Sequence, residues 1–249
     1  MEDSFRQHVL DEVIPTLRIH DPDWSQAVGE RILADILALE GPTAPIGPPP
    51  DARKLFLNKV VGHLSDIDAA LLALRMAAVF CRQFPTRATY AKRGVTESAY
   101  LKYHVEHYWQ ELFRLRESLI TLVRVVTRHA ARQAQGERRR QTREHGEQIV
   151  KAVSDGFEAV SGVRGRLVHQ ARYRDADLDR MDTLDLILNG LEDEDRETFQ
   201  HLHQAIYREK RASAADEIEA MTTSVELQIE KVYAELDRLL YPNSADAAG

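Results

Sequence analysis

Apolar residues recur every three or four positions through most of this chain, the spacing that gathers them on one face of an α-helix. Leu55, Val60, Leu64, Ile67, Leu71, Leu74 and Ala78 form one such stripe, which predicts a long helix from near Ala52 to near Phe84-Pro85. A second helix is expected to open at Thr96-Glu97-Ser98, with Leu101, Val105, Tyr108, Leu112, Leu115, Leu119, Leu122 and Val126 as its stripe. A third covers about Glu144 to Val160. The preceding "QAQGERRRQTREHGE" is too polar for a buried face and reads as an exposed helix extension or a turn. "ADLDRMDTLDLILNGL" predicts a short helix ending at Asn189-Gly190. A last helix runs from about Asp193 to Leu240 and carries Ile218, Met221, Val225, Ile229, Val232, Leu236 and Leu239 in its second half. That stripe has too few heptads for a free coiled coil and fits a bundle core.

Ahead of these lie two shorter amphipathic stretches. The first covers roughly Ser4 to Arg18. The second opens at Asp21-Pro22, Asp as N-cap and Pro at the first helical position, and stops before Gly41. No segment alternates convincingly with period two, so the expected fold class is all-α: a bundle of long antiparallel helices with an N-terminal helical pair. Five of the nine prolines fall in "GPTAPIGPPPD", which cannot continue a helix. The expected organisation is therefore an N-terminal pair over 1–40, a Pro-rich linker over 41–51, a helical bundle over 52–241 and a disordered tail over 242–249.

Composition changes this picture little, but charge does. The 249 residues are 43% hydrophobic and 29% charged, an ordinary globular balance. The net charge of −7 conceals an asymmetry. Arg82 to Arg143 holds fourteen Lys/Arg against five Asp/Glu, while the rest holds nineteen against thirty-five. Such a segment is either a solvated helical face paired with acidic neighbours or a local surface that attracts nucleic acid. The N-terminus is charged from its second residue and shows no apolar signal region. The most apolar run, Ile67 to Cys81, is interrupted by Arg75 and is too short for a span. No membrane partner is expected. Cys81 is the single cysteine, which fits a reducing compartment and a cytoplasmic location.

Familiar catalytic motifs are missing: no Gly-rich phosphate loop, His-Glu-x-x-His, Cys-x-x-Cys or Gly-x-Ser-x-Gly elbow occurs. The paired Glu-x-x-His of di-iron bundles is absent too. His104, His107 and Glu111 could touch one metal on a helix face, but exposed His is the commoner case, so no cofactor is expected.

One stretch stands out. "RGRLVHQARYRD", Arg164 to Asp175, places four arginines and a histidine in an otherwise acidic half of the chain. Arg precedes His by five positions at Arg124/His129, Arg140/His145, Arg164/His169 and Arg196/His201, so spacing alone selects none of them. Context selects the third. There a helix breaks at Gly162, Leu167-Val168 precede the His, and "QARYRDADLDR" follows it. This pattern resembles the HEPN superfamily, all-α bundles of which many are metal-independent ribonucleases, with an Arg, four to six residues, then His. The likeness covers about Ala52 to Leu240 in helical layout and some fifteen residues in detail. It implies a symmetric homodimer whose two motifs face each other, with Arg164 on the scissile phosphate and His169 as acid/base. Arg166, Arg172, Tyr173 and Arg174 would contact the RNA, and a defence or toxin–antitoxin-like setting with a regulatory protein partner is implied as well.

The chemistry is coherent. Metal-free RNA cleavage needs a group titrating near neutrality, which His supplies, and a permanent cation for the phosphorane, which Arg supplies. Five residues on a regular helix separate side chains by about 140°, so Arg164 and His169 would not share a face. Either Arg164 sits in the break at Gly162 or a second subunit completes the site. Three alternatives stay open. His169 could bond a core carbonyl while Arg164 pairs with a neighbour such as Glu158. Gly165, where many HEPN proteins carry Asn or another polar residue, favours a non-catalytic interaction module that binds a protein or nucleotide. A nucleic-acid-binding regulator could use only the basic helices, through Lys92, Arg93 and Arg138 to Arg140.

Overall fold

The computed structural model describes residues 4–14, 52–83, 90, 92–157, 176–190 and 193–242. All regular structure among them is helical: α1 Ser4–Val13, α2 Ala52–Arg82, α3 Glu97–Gln133, α4 Gly136–Gly156, α5 Ala176–Gly190 and α6 Asp193–Leu240. The chain is an all-α bundle of long antiparallel helices, as the apolar periodicity predicts. The predicted helix after Asp21-Pro22 lies outside the described residues, as do Pro15 to Arg18 of the first.

The core is built from the predicted stripes. Every stripe residue of α3 is buried, from Leu101 to Val126. Along α2, Val60, Leu64, Ile67, Leu74 and Ala78 are buried, whereas Leu55 is 49% exposed. Thr96 caps α3: its Oγ1 accepts a hydrogen bond from the Ala99 amide at 3.1 Å, satisfying one orphan donor of the first turn. A two-residue break at Ala134-Gln135 separates α3 from α4, and Gly136 takes φ 52°, a backbone region that side chains disfavour.

α4 begins at Gly136, eight residues before the expected Glu144. Its polar start is an exposed helix extension held by its own charges. Arg140 pairs with Glu137 at 2.7 Å and Glu144 at 3.6 Å, the i,i+3 and i,i+4 spacings that support solvated helices.

The helices pass through two compact units, one of Met1–Ser65, Thr121–Glu147 and Lys231–Gly249, the other of Asp66–Ile120 and Gln148–Glu230. In the first, α1 lies along the end of α6, where His8 Nδ1 is 2.7 Å from Asp237 and Phe5 packs on Tyr233. α3 meets α4 at Thr127 and Gly146, and α4 meets α6 through His145 and Glu235 at 3.0 Å. In the second unit, α2 and α6 run antiparallel, with Arg75 on Glu226 and Arg82 on Asp216 and Glu219. α5 is fastened there at Asp185, which accepts from Ser98 of α3 and lies 3.0 Å from His203 of α6. Lys102 and Asp182 add an ion pair at 3.0 Å.

Candidate nucleic-acid interface

The thirteen described cations of the basic segment are paired to different extents in the two units. In the second unit most are neutralised. Arg82 has two carboxylates, Lys102 pairs with Asp179 and Asp182, Arg114 with Asp66 and Glu111, and Arg116 with Glu117. Among the described cations there, the exposed Lys92 and Arg93 have no ion pair with a described residue. The first unit is the reverse. Arg124, Arg128, Arg132, Arg138, Arg139 and Arg143 are all exposed and none pairs with a described residue. Most of its described acids are engaged elsewhere: Glu12 by Arg53, Glu137 and Glu144 by Arg140, Glu235 by His145 and Arg238, Asp237 by His8.

Helical geometry orders these charges. Arg124, Arg128 and Arg132 stand four residues apart on α3, so each step rises about 6 Å and turns only about 40°. Arg139 and Arg143 repeat the spacing on α4. The opposite faces are spoken for: Leu122, Val123, Val126 and Ala131 are core, as is Ile149. The arginines thus form an outward ridge of permanent cations, and guanidinium is the side chain best shaped to grip phosphate in a fork.

Beside the ridge stands a second constellation, assembled from distant parts of the chain. Arg53 of α2 grips Glu12 of α1 with two hydrogen bonds, at 3.0 and 2.6 Å. Its guanidinium lies over the rings of Phe56 and Tyr241, 5.6 and 5.9 Å from their centroids. The His129 ring stacks on Phe56 at 3.6 Å. Arg53 Nη1 and Gln133 Nε2 both donate to His129 Nε2, at 3.2 and 2.9 Å, so that nitrogen is an acceptor and the ring is neutral. Burial, then the charges of Arg53 and Arg132, outweigh the attraction of Glu12 and hold His129 below its ordinary value. Burial pushes Glu12 up, but the Arg53 and Tyr241 hydrogen bonds with the Arg53 charge prevail and leave its carboxyl below the usual range. This knot fastens α1 to the ends of α2 and α3. Its composition is that of a structural clasp, and Arg132 of the ridge stands near enough to act on the His129 ring electrostatically.

The residues singled out around "RGRLVHQARYRD" (Arg164, Arg166, His169, Arg172, Tyr173 and Arg174, with Gly162 and Gly165) lie outside the described residues. In the other three Arg-x4-His matches the His has a structural partner. His129 belongs to the clasp, while Arg140 serves Glu137 and Glu144 and His145 serves Glu235. Arg196 donates to the Leu188 carbonyl at 3.1 Å and His201 lies 3.8 Å from Glu197. His104 is packed among Phe80, Tyr100 and Tyr103, and burial with the His107 charge lowers its pKa. Among the described residues no three His, Cys, Asp or Glu are placed to hold a metal ion. Cys81 is buried and its thiol pushed up to about 12 by that burial, which makes it unreactive. No helix among the described residues is long and apolar enough to cross a membrane.

Sequence spacing alone pointed to a basic segment but not to its division. What separates Arg82 from Arg124 is the acid opposite it across the helix packing, and no local pattern carries that. Comparison with protein-family models, with curated proteins and with solved structures gave no match.

Proposed function

We propose that this protein binds RNA through the α3–α4 arginine ridge and, as a homodimer of HEPN type acting in the cytoplasm, cleaves it without a metal. The observation that carries the reading is the set of six exposed arginines, without an ion pair among the described residues, on two consecutive helices of the first unit. A solvated face of ordinary composition mixes signs, as the second unit does. A ridge of one sign costs self-repulsion and is relieved when phosphates arrive and counterions leave.

Cleavage itself rests on the sequence motif. Arg164 would hold the scissile phosphate and His169 move the proton, with Arg166, Arg172, Tyr173 and Arg174 on the flanking nucleotides. The homodimer follows from the same resemblance. Leu72, Met76 and Val79 on α2, 58, 43 and 51% exposed, give an apolar row of the kind a second copy covers. A non-catalytic module that binds a protein or nucleotide is the second reading, and Gly165 favours it.

The test is incubation of end-labelled total RNA and tRNA in excess chelator, wild type beside His169→Ala. Cleavage by wild type leaving 2′,3′-cyclic phosphate ends, and a loss of at least about a hundredfold in the variant, is expected. Binding without cleavage by either folded protein selects the second reading. Loss of neither binding nor cleavage on removing the ridge arginines rejects the ridge.

A further inference from the structure

A cavity of about 550 Å³ opens in the first unit beside the ridge, between the α3–α4 turn and the last residues of α6. Its volume lies within the range of small-molecule sites. Its polar lining includes the cations Arg138 of α4 and Arg238 of α6, with the Gln141 and Gln133 amides and His145 beside them. No Asp or Glu lines it. Leu239, Leu240 and Pro242 form an apolar wall that keeps water from one side.

The charges there are not balanced. Glu235 stands behind the lining and accepts from both His145, at 3.0 Å, and Arg238, at 2.6 Å. It orients those two groups and offsets one charge. Arg138 has no carboxylate among the described residues. An occupant that suits this lining is anionic, rich in acceptors and compact. A carboxylate brings one charge and two oxygens. A phosphate monoester brings about −1.5 to −2 at pH 7 and three oxygens, enough to engage two guanidiniums and an amide together. No Phe, Tyr or Trp lines the cavity, and its one imidazole, His145, is held by Glu235, so the lining suits a phosphate before a base.

We infer that this cavity is a phosphomonoester site, recognising the phosphate and not the base. The phosphate could arrive on a free nucleotide or on the 5′ end of an RNA strand lying along the ridge. The inference stands on the cavity and does not require cleavage.

Titration calorimetry of the full chain tests it with AMP, adenosine and two RNA decamers differing only in a 5′-phosphate. AMP is expected to bind and adenosine not to. Arg138→Gln with Arg238→Gln should weaken AMP at least tenfold, with the fold checked by circular dichroism. Arg93→Gln, in the other unit, should leave it unchanged. Tighter binding of the phosphorylated decamer, competed by AMP, assigns the RNA end as the source. Equal binding of both decamers, with AMP still bound, assigns the free nucleotide. AMP binding that survives the double variant, or neither AMP binding nor a 5′-phosphate preference, overturns the site. RNA affinity that falls with Arg124, Arg128 and Arg132 while neither AMP nor the 5′-phosphate is favoured would leave the ridge standing and the cavity refuted.

Discussion

His129 shows how one side chain sets a pH limit. It is neutral in the clasp, with burial and two arginines holding its pKa below the 6.5 of a free imidazole. The unfolded chain therefore binds a proton first as pH falls through that value, and stability is lost below it. Glu12 acts in the same direction further down, since its carboxyl sits below 4.5 and stabilises only while ionised. Thermal midpoints measured from pH 7.5 to 5 should fall, and His129→Gln should flatten the upper part of that decline. An equally steep decline in the variant would place the sensitivity elsewhere, with His104 the next group to test. Gly146 makes a second residue-scale case. A Cβ there would run into the Thr127 side chain, which is itself buried, so Gly146→Ala is expected to cost about 1–3 kcal/mol in denaturant unfolding. Thr127→Ala in the same chain should recover most of it. Gly156 differs, because its neighbour is the movable amide of Gln228.

At the scale of elements, long stripes were legible and assemblies were not. α3, α5 and α6 could be read from apolar spacing because each buries a continuous face. The start of α4 was open between helix extension and turn because its first turns bury nothing; it is helix, sustained by charge pairs and helix-forming Arg, Glu and Gln. Leu55 belongs to the predicted α2 stripe yet faces outward, since five residues turn it about 140° from Val60 while Phe56 and Leu57 take the buried positions. The clasp joins Glu12, Arg53, His129 and Tyr241, separated by up to hundreds of residues, and nothing local announces it. The ridge is a property of two adjacent elements and can be tested as one. Arg124, Arg128 and Arg132 changed together to Gln should lower RNA affinity and reduce the log–log salt slope by about 2, at roughly 0.7 per phosphate contact on a single strand. The same triple change should leave the melting temperature nearly unmoved, because these side chains hold no described partner. An unchanged slope would mean that the ridge does not meet phosphate.

At the scale of the whole molecule, the net charge of −7 works against nucleic acid, so binding needs the opposite sign to be concentrated. Six arginines of the first unit without an ion pair among the described residues provide that concentration. Catalysis adds a stricter requirement. On a regular helix Arg164 and His169 point about 140° apart, so a single copy cannot aim both at one phosphate from the same helix. If two copies share each site, Arg164 of one acts with His169 of the other. A mixture of Arg164→Ala and His169→Ala proteins then decides the architecture. Either variant alone is expected to be inactive. After exchange of subunits, half of the dimers are mixed, and each mixed dimer has one site with both groups intact. Activity of the mixture should therefore reach about a quarter of wild type for a two-fold dimer. A site contained within one chain gives no recovery, because every chain in the mixture lacks a group. Recovery that disappears when Met76→Lys is placed in both chains would further tie the shared site to the exposed apolar row of α2.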